Sequence, residues 1–200
     1  MQKSAATTYP ILPLLSERWS PRAFADRPVE KEKLQSLFEA ARWSASCYND
    51  QPWTFFVATR ADPATYGMVL DWMVPFNQSW AKQAPVLIAG IARTHMRHNG
   101  DPNGWAEYDL GQSVATLSVE ATHLGLHLHQ MAGFDADKIS TSLQLDDSYK
   151  PMVMIALGYI GDPDTLPESL QEKEKEARQR LPLEAFVFAG QWGQPASFLD

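Results

Sequence analysis

Two guanidinium groups and a hydroxyl fall within five residues in the segment RWSPRAF. Arg18 and Arg22 flank Ser20, and Pro21 stops a regular helix from running through them. Charge-assisted donors on a bent backbone suit a phosphate dianion. A second basic pair, Arg178 and Arg180, stands two residues apart just ahead of Leu181 and Pro182. In an extended junction both would point to one side. The alternative is that all four arginines make ion pairs, for example with the glutamates of EKEKEA (residues 172–177).

Two loops could add polar contacts. SASCYNDQPW brings Ser46, Cys47, Asn49 and Gln51 together ahead of Pro52, which keeps Gln51 out of a helix. QMAGFD offers Met131, Ala132 and Gly133, a small-residue turn whose amides a planar ligand could approach. The five histidines lack an accompanying carboxylate or cysteine at metal-ligand spacing, so hydrogen-bonded or solvated structural histidines are expected and no metal. Cys47 is the single cysteine and reads as an inert small residue. No Gly-x-Gly-x-x-Gly, no Gly-Lys-Ser/Thr and no Gly-x-Ser-x-Gly occurs, which removes the familiar dinucleotide, P-loop and serine-nucleophile machinery.

The 200 residues carry 17 Lys and Arg against 24 Asp and Glu, a net charge of −7. An acidic chain argues against nucleic acid and anionic membrane as partners. One cysteine rules out an internal disulfide and suits a reducing, cytoplasmic setting. Neither a signal peptide nor a spanning segment is evident; the longest apolar run, Ala84 to Ala92, is far below the roughly 20 residues a spanning helix needs. Without repeats or low-complexity linkers, residues 1–200 read as a single domain.

Several elements must position these groups. PVEKEKLQSLFEAARWSA opens with Pro28 and spaces Leu34, Leu37, Phe38, Ala41 and Ala45 as a helix. Trp53–Arg60 reads as a strand, followed by a helix from Asp62–Pro63 to Met73. Ala84–Ala92 reads as a central strand apolar on both faces. A long helix from Trp105 to His123 places Leu110, Val114, Leu117 and Ala121 on one face and stops at Gly125. LHLHQM and YKPMVMIALGYIG are two further strands, and LPESLQEKEKEARQR is a charged helix. The expected fold class is α+β, a sheet covered by helices on both sides.

Taken in order, RWSPRAF, SCYNDQPWTF, NQSWAKQAPVLIAG, DLGQSVATLSVEATHLGLHLHQMAGFD and RQRLPLEAFVF resemble the nitroreductase family of FMN-dependent oxidoreductases, over roughly residues 13 to 188. Arg-x-Ser-x-Arg-x-Phe and Asn-x-Gln-Pro-Trp are the most specific parts. The resemblance implies a sandwich with a central, mostly antiparallel sheet flanked by helices, and a homodimer with FMN at the subunit interface. It implies FMN-binding roles for Arg18, Trp19, Ser20 and Arg22, and for Arg178 and Arg180 at the phosphate. Ser46, Cys47 and Asn49 would reach the flavin from the opposite subunit. Asn77 would contact the pyrimidine edge, and Met131, Ala132 and Gly133 would lie beneath the ring, with the Ala132 amide facing N5. The implied reaction is ping-pong: NADPH or NADH passes a hydride to flavin N5, and a small acceptor such as a nitroaromatic, quinone or enone then takes it. The flavin carries the chemistry, so no catalytic side chain is required.

The chain departs from the family pattern at two places. Trp80 stands where many members have a lysine near the flavin N1 and O2 edge, which makes it either a pocket residue or core packing. Ala132 stands where some have a glutamate. Trp72, Phe76 and Trp105 could stack on a substrate or line the core or a dimer interface. Alternative readings are a specialised flavin enzyme (reductive dehalogenation or flavin-modifying chemistry), a non-catalytic flavin-binding protein, and a relative without cofactor.

Overall fold

A computed structural model describes residues 3–199. Four strands form one fully antiparallel sheet in the order β1-β2-β4-β3, with β1 Trp53–Thr59, β2 Val86–Arg93, β3 His127–Met131 and β4 Tyr149–Gly158. Along β2, Leu87, Ala89 and Ile91 point into one core and Val86, Ile88 and Ala92 into the other. That two-sided apolarity explains why the strand reads as a continuous run. Gly90 fits because a Cβ there would lie 2.7 Å from Val153 Cγ1.

The first core is roofed by α3 (Pro63–Asp71), α4 (Pro75–Ala81), α6 (Ala136–Leu143) and α7 (Glu168–Lys175), through Val69, Trp72, Trp80, Ile139 and Leu170. The second is roofed by α2 (Lys31–Arg42) and α5 (Ala106–His123), through Leu37, Ala41, Leu110, Val114, Leu117 and Ala121. The short α1 (Pro13–Glu17) precedes the arginine segment. Helices on both faces of the sheet are the α+β arrangement expected.

Local chemistry sets the ends. Asp62 caps α3 by accepting the Thr65 amide at 3.2 Å, with Pro63 in the first turn. Beyond α5, Gly125 adopts φ 73°, its amide reaches the Thr122 carbonyl at 3.1 Å, and the Leu126 amide reaches Ala121 at 2.7 Å. This is the Schellman closure that Gly125 suggests.

Some expectations change. The helix expected to run to Met73 is α3, and a second one, α4, follows Val74–Pro75; α1 and α6 are additional. The charged helix expected over residues 166–180 spans only Glu168–Lys175; Glu176 turns extended at ψ 143° and carries Arg178 and Arg180 out of helical geometry. The first helix likewise ends at Arg42 rather than Ala45. No helix among the described residues is long and apolar enough to cross a membrane.

Candidate active site

The arginine segment crosses the end of the sheet where β2 begins and β4 ends. Gly161 donates to the Ala23 carbonyl at 2.8 Å, Ala25 donates to Tyr159 at 2.9 Å, and Phe24 bridges Ile160. Arg18 reaches Ser20 Oγ at 3.5 Å. Arg178 donates to the carbonyls of Lys3 at 2.9 Å and Ser16 at 2.7 Å, which brings the C-terminal pair back to this segment. Burial and then the Arg180 guanidinium push the Arg18 pKa down; burial, Arg18 and Arg180 do the same to Arg178. The three guanidiniums thus lie near enough to repel one another, and among the described residues none of them makes an ion pair. Arg22 is different: its Nη1 lies 3.9 Å from Glu174 Oε2, so the ion-pair alternative holds for this one arginine, with a glutamate of EKEKEA.

Beneath the segment, β3 presents His127 and His129, two apart and therefore on one face. Trp19 packs edge-on against His127 at 6.2 Å, and Trp80 packs on His129 at 4.6 Å with the Arg22 guanidinium 5.9 Å over its ring. Trp80 is 0% exposed, so it packs in the core and stands behind Arg22. Burial, followed by the Arg18 charge for His127 and the Arg22 charge for His129, lowers both pKa values to about 4. The rings are neutral at pH 7. Among the described residues no group of three or more His, Cys, Asp or Glu is disposed to hold a metal.

Asn77, buried on α4, donates to the Gly133 carbonyl at 2.9 Å, and Val74 donates to the same oxygen at 3.1 Å. A Cβ on Gly133 would lie 2.7 Å from Asn77 Nδ2. The fold therefore brings Arg18, Trp19, Ser20, Arg22, Arg178 and Arg180 into one neighbourhood, and seats Asn77 on the turn of Met131, Ala132 and Gly133, which continues β3.

Ser46, Cys47 and Asn49 lie elsewhere. The Arg93 amide donates to Pro52 at 2.7 Å, which fixes their loop at the other end of β2, eight residues or ~25 Å away. Asp109, 2% exposed, accepts the Cys47 amide at 3.0 Å, and Ser46 Oγ accepts the Gln51 amide at 3.1 Å. Buried Asp50 accepts the Arg97 amide at 2.6 Å and Asn103 Nδ2 at 3.2 Å. Tyr48, Asn49 and Gln51 all hold left-handed φ values, 52°, 55° and 51°. A cavity of about 600 Å³ opens beside them, lined among others by Tyr48, Trp53, Arg97 and His98. Of the aromatic candidates, Trp72 is buried with Nε1 on Ser142 Oγ at 3.1 Å and cannot stack on a substrate, whereas Phe76 and Trp105 are exposed.

A profile of the nitroreductase family matches residues 15–159, which takes in the whole sheet, the Arg18–Arg22 segment and the Ser46–Asn49 loop but not Arg178 and Arg180. The chain belongs to the nitroreductase family. It superposes on the crystal structure of an oxidoreductase containing FMN with TM-score 0.88 and 35% identity, covering 94% of this chain and 95% of that one. A nitroreductase family protein from Clostridium difficile shares the fold at TM-score 0.67 and 24% identity, over 87% and 94% of the two chains. By sequence, the chain is 29% identical over 158 residues to a candidate NADH dehydrogenase/NAD(P)H nitroreductase of Xanthomonas oryzae (70% of this chain, 80% of that protein). It is 38% identical over 91 residues to an uncharacterised 15.4 kDa protein of Mycolicibacterium smegmatis, covering 46% of this chain and 61% of that protein.

Sequence reasoning missed three buried carboxylates: Glu174, which holds the backbone of the arginine segment, Asp109, which holds the Cys47 amide, and Asp50, which ties the Ser46–Asn49 loop to Arg97 and Asn103. Nothing local marks them, because their partners lie far along the chain.

Proposed function

We propose that this nitroreductase-family protein is an FMN-dependent oxidoreductase of the cytoplasm that takes electrons from NADH or NADPH and reduces a small acceptor such as a nitroaromatic, quinone or enone. The observation that carries the reading is the cluster of Arg18, Arg178 and Arg180 with Ser20, in a chain of net charge −7. Among the described residues none of these three guanidiniums makes an ion pair, and a phosphate monoester dianion would offset their mutual repulsion and match their donors. The unpartnered buried polar atoms support it. Among the described residues these are Trp19 Nε1, Arg22 Nε, Trp80 Nε1 and His127 Nδ1, and all four belong to this limb. Such atoms cost about 1–3 kcal/mol each, and polar atoms of a ligand would supply partners to those of them it can reach.

The residues present fit FMN. Arg18, Ser20, Arg22, Arg178 and Arg180 would hold the phosphate. Asn77 and the Met131–Ala132–Gly133 turn would hold the ring, the glycine leaving the turn open to Asn77 and to close backbone approach. Bound FMN supplies the two-electron redox chemistry. Asp50, Asp109 and Glu174 are all committed to hydrogen bonds with the fold, so they orient backbone instead of serving as acids or bases. Ser46, Cys47 and Asn49 sit a strand length from the arginines, so they would complete the site from a second copy of the chain, in a homodimer.

The test is the visible spectrum of purified protein before and after FMN addition, followed by NADH or NADPH under anaerobic conditions. The reading expects stoichiometric FMN uptake and bleaching by one of the two nucleotides. Flavin that stays oxidised with both, or no uptake, contradicts it.

A further inference from the structure

Glu174 stands in the last turn of α7, outside residues 15–159, and is 1% exposed. A buried carboxylate must be compensated, and this one is. Its Oε1 accepts the backbone amides of Arg22 at 2.7 Å and Ala23 at 3.1 Å, and its own carbonyl accepts Lys3 Nζ at 2.6 Å. From β3, His129 Nδ1 meets the Pro21 carbonyl at 3.0 Å. A carbonyl only accepts, so His129 carries its proton on Nδ1. Pro21, Arg22 and Ala23 are therefore gripped by their backbone from two elements, α7 and β3, and the grip uses neither the Arg18 guanidinium nor the Ser20 hydroxyl.

We propose that Glu174 is a positioning residue for phosphate recognition: it sets the Pro21–Ala23 backbone in advance, so that Arg18, Ser20 and Arg22 meet the phosphate of FMN already in place. The inference rests on the FMN reading above and assigns the discrimination between FMN and riboflavin to a residue that need not touch either. Setting the segment before binding removes its ordering cost from the ligand's affinity. An apolar residue at 174 would strip two buried amides of their acceptor, whereas Gln retains a carbonyl oxygen for them.

The experiment compares FMN and riboflavin affinities by flavin fluorescence titration for wild type, Glu174→Gln and Glu174→Leu. Hydrogen exchange on flavin-free wild type follows the Arg22 and Ala23 amides. Glu174→Leu should weaken FMN binding by about tenfold or more while riboflavin changes less than about twofold, and Glu174→Gln should restore most of the loss. In wild type both amides should be protected before any flavin is added. Unchanged FMN affinity in folded Glu174→Leu, equal loss for FMN and riboflavin, or unprotected amides in wild type each overturn the inference. If Glu174→Leu does not fold, the wild-type exchange result decides. Wild type that takes up neither flavin contradicts the oxidoreductase reading itself, and the exchange result then judges the grip alone.

Discussion

The two limbs of the proposed site are built by opposite means. The Arg18–Arg22 limb concentrates charge: five cations, Lys3, Arg18, Arg22, Arg178 and Arg180, gather in one neighbourhood where buried Glu174 meets only Lys3 and Arg22 among them, over a bed of Trp19, Trp80 and two neutral histidines. The Ser46–Asn49 limb concentrates backbone strain. Three of its residues hold left-handed φ values, Tyr48 is 84% exposed, and Asp109 anchors the loop by one amide. The first limb gathers cations on a backbone set by distant side chains, as the proposed phosphate site requires. The second is a shaped edge that presents side chains outward. That contrast fits a binding limb for a phosphate and a covering limb that completes the same site from the partner subunit.

Charge should dominate the first limb. Replacing Arg18 and Arg22 together by Ala is expected to weaken FMN binding by about 100-fold or more, since each charge-assisted bond contributes about 1.5–3 kcal/mol, with little change for riboflavin. Flavin titration checks it; equal losses for both ligands would erase the contrast between the limbs. Gly133→Ala tests the ring end. Its Cβ would collide with Asn77 Nδ2 and with Val74 Cγ2 at 2.9 Å, so a loss of about 1–3 kcal/mol in stability is expected, with FMN and riboflavin weakened alike.

The histidines give the first limb a pH dependence. Both are neutral in the folded protein with pKa values near about 4, while the unfolded chain protonates near 6.5. Between those values the unfolded state binds more protons, so stability falls as pH drops through 6.5 and levels off below about 4. Urea midpoints measured from pH 8 to 4 should decline only in that window, and His129→Asn should flatten the decline. The smallest effect belongs to the second limb. Tyr48→Gly relieves a left-handed residue and should raise stability by about 0.5–1 kcal/mol, read as a higher melting temperature; a loss would mean that Tyr48 packs against something that stabilises the fold.

The strands and the long helix were legible because their patterns are local and repeated: alternating faces in β2, and Leu110, Val114, Leu117 and Ala121 on α5. Seven- and eight-residue helices such as α4 and α6 are too short for periodicity to stand out, although Asp135, which caps α6 by accepting the Lys138 amide at 2.9 Å, is a readable start signal. EKEKEARQR has helix-forming composition throughout, yet the helix ends at Lys175, where Glu174 is drawn under Arg22 and Arg178 onto the Lys3 and Ser16 carbonyls. Tertiary contacts override propensity there. The arginines were legible by residue type and spacing. Glu174 was not, because a glutamate in a charged run looks solvated until the fold buries it against amides 151 and 152 residues away.

The central claim is that one site is assembled from the two limbs of different chains. Mixing two variants tests it most directly: Arg18→Ala/Arg22→Ala, broken in the first limb, and Ser46→Ala/Asn49→Ala, broken in the second, unfolded and refolded together. In a two-fold dimer a mixed pair holds one intact site and one doubly broken site, so FMN binding should return to about a quarter of the wild-type capacity after random exchange. Binding that stays at the level of the separate variants would contradict a site shared between chains.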